Sequence, residues 1–174
     1  MKISNIVFAP LFVILIHYFA FKDVVFAYLC IAFLYLLWFL IKKKPVTDVV
    51  IVSTYIVILA IAYYFSSIKI VKFIPAILSL IFAVLFLDSY LNGRHMVLGF
   101  TKLFYKKELS QEQKVFLERG DLYWVFVMLI NTVVHLIVVY SCDDNFWAFY
   151  ASIGWYGLFF SALAIQIIYG KVRY

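Results

Sequence analysis

In an otherwise apolar chain, a few polar residues have types and spacings that chemistry can use. Asp88, Asn92 and His95 stand at i, i+4 and i+7, with Arg94 beside them. On a continuous helix an acid, an amide and an imidazole would then share one face, as a site able to bind a lipid phosphate or relay a proton. The plainer reading is a solvated helix end broken by Gly93. Asn131 and His135 are four residues apart, and His17 lies deep in the first apolar run. Polar groups at such depth turn toward protein, either as interhelical hydrogen-bonding groups or as parts of a polar path. Asp143 and Asp144 have no neighbouring base or ligand set and read as a hydrated turn. Cys30 and Cys142 form no CxxC; they read as two buried small side chains or as a pair in an oxidising compartment. With no HExxH, no Gly-rich phosphate loop and no Ser/His/Asp order, no catalytic residue, metal site or cofactor is expected.

The elements that carry these residues follow from solvent. With 67% hydrophobic and only 14% charged residues, and a mean hydropathy of +1.05, the chain has too little polar surface to cover a water-facing globule. About 20 apolar residues cross a bilayer as a helix. Six such runs are present, at Asn5 to Phe21, Val24 to Ile41, Val49 to Ile68, Ile70 to Leu87, Leu122 to Tyr140 and Phe146 to Tyr169. Their continuous apolarity selects helix over barrel strand. The expected fold is all-α, a single integral membrane domain with six transmembrane helices. Lys22-Asp23 would turn the first hairpin and Lys69 with Lys72 the second, with Pro75 in the first turn of the fourth helix and Lys72 snorkelling to the interface. A re-entrant fourth segment is the alternative.

Lys and Arg placement orients the bundle. With the N-terminus inside, the inner side holds Lys2, Lys42, Lys43, Lys44, Arg94, Lys102, Lys106, Lys107, Lys114, Arg119, Lys171 and Arg173, against Lys22, Lys69 and Lys72 outside. Both termini are therefore expected in the cytoplasm. The formal charge of +6 then reflects topology and attraction to anionic inner-leaflet lipids rather than nucleic acid. Trp38, Tyr63, Tyr64, Tyr123, Trp124, Trp147 and Tyr169 fall near span ends and read as interfacial anchors.

The segment 88–121 between the fourth and fifth spans is the one long polar stretch. Met96, Phe100, Leu103 and Phe104 share a helical face and Lys102, Lys106 and Lys107 lie off it, the pattern of an amphipathic helix on the inner leaflet, with docking to a partner protein as the alternative. Ser110 followed by Gln113 has the spacing of a capping box, so a second helix is expected there, with a bend at Gly120 where it meets the membrane.

Several residues resemble the intracellular septation protein A family of bacterial inner-membrane proteins: Phe8-Ala9-Pro10-Leu11 with Val13, Lys107-Glu108-Leu109, then Trp124, Trp147, Tyr150 and Gly154 at matching intervals. The chain departs from that pattern at His135, at Tyr150 and at Arg94-His95-Met96. Gly93-Arg94, Phe100 and Leu109 are also similar to uncharacterised membrane proteins of aryl-polyene and fatty-acid synthesis clusters. The first resemblance implies a non-enzymatic role in envelope integrity and membrane homeostasis beside division and elongation proteins, in the bacterial inner membrane. The second implies service to a lipid-like product pathway. A small transporter or lipid-handling protein, its path lined by His17, Asn131, His135 and the Asp88 face, is the alternative.

Overall fold

The computed structural model describes residues 4–105 and 108–173, and every regular element among them is helical. The order is α1 (Ser4–Tyr18), α2 (Phe21–Ile41), α3 (Val46–Phe65), α4 (Ile68–Lys72), α5 (Ile74–Leu91), α6 (Met96–Phe104), α7 (Gln111–Ser141), α8 (Asp144–Phe149) and α9 (Trp155–Arg173), with a π-helical turn, Tyr150–Gly154, joining the last two. Among the described residues, five helical stretches are long and apolar enough to cross a membrane: Phe21–Ile41, Val46–Phe65, Ile68–Leu91, Gln111–Ser141 and Asp144–Gly170. The first run of the sequence behaves differently. Among the described residues its helix, α1, has 15 residues and rises about 22 Å, short of a hydrocarbon core of about 30 Å.

The boundaries shift for local reasons. Lys22 and Asp23 lie in the first turn of α2 rather than in a turn of their own, where an acid faces the positive end of the helix; the bend falls at Phe19 and Ala20. The second hairpin turns at Ser66, which closes α3 with φ 51°. Pro75 sits in the first turn of α5, as expected. It has no amide to bond Val71 and crowds that carbonyl, which accounts for the break at Phe73 between α4 and α5.

The chain forms two compact units, residues 1–78 with 135–153, and residues 79–134 with 154–174. In the first, α2 packs along α3, and α1 meets α2 and α8. Val24, Val25, Ile58, Leu59, Ala62 and Val71 are buried there, and Phe12 sets its ring edge on Tyr28 at 5.4 Å. The second unit is built on Trp124. Its indole stacks on Phe86 at 6.1 Å and meets Phe159 at 4.9 Å, within a core of Ala83, Val97, Val127, Met128 and Ala162.

Trp124 and Trp147 are core residues rather than interfacial anchors, at 4% and 2% exposure. Burial is tolerated because each indole N–H has an acceptor: Trp124 Nε1 donates to Gln166 Oε1 at 2.8 Å and Trp147 Nε1 to the Lys72 carbonyl at 3.1 Å. Cys30 and Cys142 are free, with Cys30 exposed rather than buried.

α7 opens on the anticipated capping box. The Gln113 amide donates to Ser110 Oγ at 3.2 Å, and the Ser110 amide donates to Gln113 Oε1 at 3.0 Å. The helix then runs without interruption for 31 residues, about 46 Å, with Gly120 inside it. Gly120 is a point of close approach. A Cβ there would lie 2.6 Å from Gln166 Nε2 and 2.9 Å from Val97 Cγ1. Gly120→Val is therefore expected to destabilise the protein by about 1–3 kcal/mol, despite the better helix propensity of valine over glycine. Thermal unfolding in detergent checks it, with Gly99→Val, where nothing crowds the new Cβ, as the control.

Candidate functional site

The polar face expected at Asp88, Asn92 and His95 exists in part. α5 ends at Leu91, and Gly93 with φ 65° and His95 with φ 50° turn the chain, so His95 leaves the helical register on which the i+7 spacing relied. Asn92 Nδ2 donates to Asp88 Oδ1 at 2.7 Å and to the Asp88 carbonyl at 3.0 Å, while Arg94 forms an exposed ion pair with Asp88. These three residues close off the end of α5 at the surface. His95 instead lines a groove of about 550 Å³ with Tyr90, Leu91, Gly93, Val115, Glu118 and Arg119. Its Nδ1 is enclosed without a hydrogen-bond partner.

The best-organised polar cluster lies just behind that turn, on residues the spacing does not single out. Asp121 is completely buried on α7. Its Oδ1 accepts the Val97 amide at 2.8 Å. Its Oδ2 accepts the Met96 amide at 3.0 Å and the Ser89 hydroxyl at 2.7 Å. Ser89 Oγ also accepts the Met96 amide at 2.9 Å, and the Ser89 carbonyl accepts Arg94 N–H at 2.9 Å. The carboxylate thus satisfies two amides that the first turn of α6 leaves unpaired, and the positive end of that helix compensates its charge. Three elements, α5, α6 and α7, are tied at one point.

The deep polar residues follow separate fates. Asn131 on α7 donates from Nδ2 to Ser79 Oγ on α5 at 2.6 Å, both in the second unit, as interhelical hydrogen bonding predicts. His135 is 2% exposed and packs edge-on to Tyr150 in the π-helical turn at 4.9 Å, with Nδ1 unpaired. His17 is not deep. It occupies the last turn of α1 and is exposed, because that helix stops at Tyr18.

Lys72 and Asp144 differ most from expectation. Lys72 does not snorkel: it is 5% exposed and forms an ion pair with Asp144, so the Asp143-Asp144 turn is more than hydrated surface. Asp143 caps α8, its Oδ1 accepting the Phe146 amide at 2.7 Å, which leaves Asp144 to reach Lys72. The two partners are 72 residues apart, and no local pattern joins them.

α6 has one buried and one outward apolar side. Val97 and Leu98 are buried, while Phe100 and Leu103 of the anticipated apolar face point outward at 55% and 72% exposure. Lys102 is exposed beside them. Lys106 and Lys107, expected on the same membrane-facing segment, lie outside the described residues.

Among the described residues, these features define an all-helical architecture with five helical stretches able to cross a membrane and a short amphipathic helix pinned to one of them by a buried carboxylate. No family model, curated protein or solved structure matches the chain.

Proposed function

We propose that this is a multi-pass protein of a bacterial inner membrane, with both termini cytoplasmic, that supports envelope integrity and membrane homeostasis without a reaction of its own. It acts through helix contacts with division, elongation or lipid-pathway membrane proteins, and through its basic inner segment. The carrying observation is how little of α2 and α3 the chain itself covers. Only 11% and 17% of their apolar windows are buried, and Phe26, Phe33, Leu34, Leu40, Val50 and Val57 are exposed. Lipid or foreign helices must cover such surface. In this reading α1 is a sixth, short crossing whose length is met by local thinning of the bilayer, which restores the even number of spans that charge placement requires.

Reporter fusions after Lys44, Tyr105 and Arg173 are expected to report cytoplasm, and fusions after Ser67 and Asp143 the opposite side. A periplasmic report at Tyr105 or Arg173 would sink the arrangement. Photocrosslinkers at Leu34 and Val57 in native membranes are expected to capture division, elongation or lipid-pathway proteins; capture of none of these removes the functional half.

A second reading, a small transporter or lipid-handling protein, is favoured by the buried His135 with its unpaired Nδ1. It requires His135→Leu to abolish proton or lipid flux in proteoliposomes, and it fails if flux is unchanged.

A further inference from the structure

The outward face of α6 has no partner among the described residues, yet its level along the neighbouring helices can be fixed. On α7, Glu112, Lys114, Glu118, Arg119 and Asp121 precede a stretch, Leu122 to Tyr140, that carries no acid, lysine or arginine. On α5 the residues from Ile74 to Leu87 are likewise uncharged, and Asp88 is the first charge. The Ser89–Asp121 hydrogen bond joins these two transitions, and the amides that begin α6 bond the same carboxylate. α6 therefore starts where both helices change from apolar to charged.

α9 marks how far the apolar surface continues. Its Ile165, Ile167 and Ile168 are exposed, and its Tyr169 ring lies 5.8 Å from Phe116 of α7. A Cβ on Gly170 would come within 2.9 Å of the Phe116 ring. Apolar surface thus persists to the level of Phe116, five residues or about 7 Å beyond Asp121 along α7. That distance matches one headgroup layer, about 5–8 Å on each side of a bilayer. α6 starts at the inner edge of this band, at Asp121, and Lys102 on its far half shares a surface groove with Glu108, Leu109 and Lys114, the last of them seven residues or about 10 Å beyond Asp121 along α7.

We infer that α6 is an interfacial anchor whose Phe100 and Leu103 side chains enter the boundary between headgroups and acyl chains of an anionic leaflet, with Lys102 and Lys114 against lipid phosphates. The assignment rests on the membrane reading above and on the inner-leaflet placement expected for this segment, and adds the depth of α6 and the side chains that enter the lipid. Apolar side chains on one side of a short helix and lysines flanking them are the combination that binds charged interfaces. The buried Asp121 carboxylate fits the same picture, since α6 covers it and supplies its donors. The helix is thereby held at a fixed depth rather than adsorbed freely.

The test uses the full-length protein with Cys30 and Cys142 replaced by serine and an environment-sensitive fluorophore attached through Leu103→Cys or, separately, Phe100→Cys. The protein is reconstituted in nanodiscs of phosphatidylcholine with or without phosphatidylglycerol. Both labels are expected to emit as in an interface and to be quenched about threefold more by shallow spin-labelled lipid than by aqueous iodide. Lys102→Glu with Lys114→Glu is expected to shift the label toward iodide in anionic nanodiscs and leave it unchanged in neutral ones. Free access of iodide in both compositions overturns the inference, as does shielding from both quenchers, which means protein covers the face. The reporter fusions after Lys44, Tyr105 and Arg173 separate the failures: if they report cytoplasm while the label is aqueous, the lipid contact alone is lost.

Discussion

Asp121→Ala is expected to release α6 from α7 and lower stability by about 3–5 kcal/mol. Three donors lose a charged acceptor, and hydrogen bonds to charged groups contribute roughly 1.5–3 kcal/mol each, less what water recovers near the interface. The Val97 amide loses its bond to Oδ1, whereas the Met96 amide keeps Ser89 Oγ. Ser89→Ala is therefore expected to cost only about 1 kcal/mol. Asp121→Asn fits the space but turns a donor toward one of the amides, so it should recover less than half of the loss. Denaturation in mixed micelles measures the stabilities. Hydrogen exchange of the peptide covering 94–104 tests the location, because exchange of the Met96 and Val97 amides should accelerate in Asp121→Ala before the protein unfolds. Unchanged exchange there would mean that the carboxylate does not hold the helix.

Asp144→Ala is expected to be the second most damaging of these substitutions, at about 2–3 kcal/mol. Lys72 is almost fully enclosed, and removal of its counter-charge leaves a cation without compensation. The full figure for a buried pair is discounted because the Asp144 side chain is 48% exposed and remains screened by water. Lys72→Met removes the cation that needs the pair and should cost less. The double variant Lys72→Met with Asp144→Ala is expected to regain much of the Asp144→Ala loss, giving a coupling of about 1–2 kcal/mol. Additive losses in that cycle would show that the two side chains act independently. The pair also orders the segment around it, since the Lys72 carbonyl accepts the Trp147 indole. A Trp147→Phe variant separates that contribution.

The elements were readable because lipid-length runs of apolar residues are a one-dimensional signal. α2, α3, α5, α7 and α9 each fall on a run found by composition. The capping box at Ser110 and Gln113 and the place of Pro75 in the first turn of α5 were readable too, because their partners lie within a few residues and helical geometry fixes the distance. The Asp88–Asn92 contact belongs to the same class. Where a reading required the helix to continue, as for His95, or to be longer than it is, as for His17, a local stop at Gly93 or at Tyr18 defeated it.

The sequence by itself determined a helical chain with apolar helices of bilayer length and a strong bias of Lys and Arg among its gaps, since both depend only on which side chains tolerate which solvent. Tertiary structure decided which polar residues matter together. Asp121 could not be matched to Ser89 and the start of α6, nor Asp144 to Lys72, from spacing: the partners are 24 to 72 residues apart, on helices whose rotation and register follow from packing around Trp124 and Trp147. Gly120 is the clearest case. One-dimensional reading expects a bend there, and only the tertiary structure shows Val97 of α6 and Gln166 of α9 against the space that a side chain would fill.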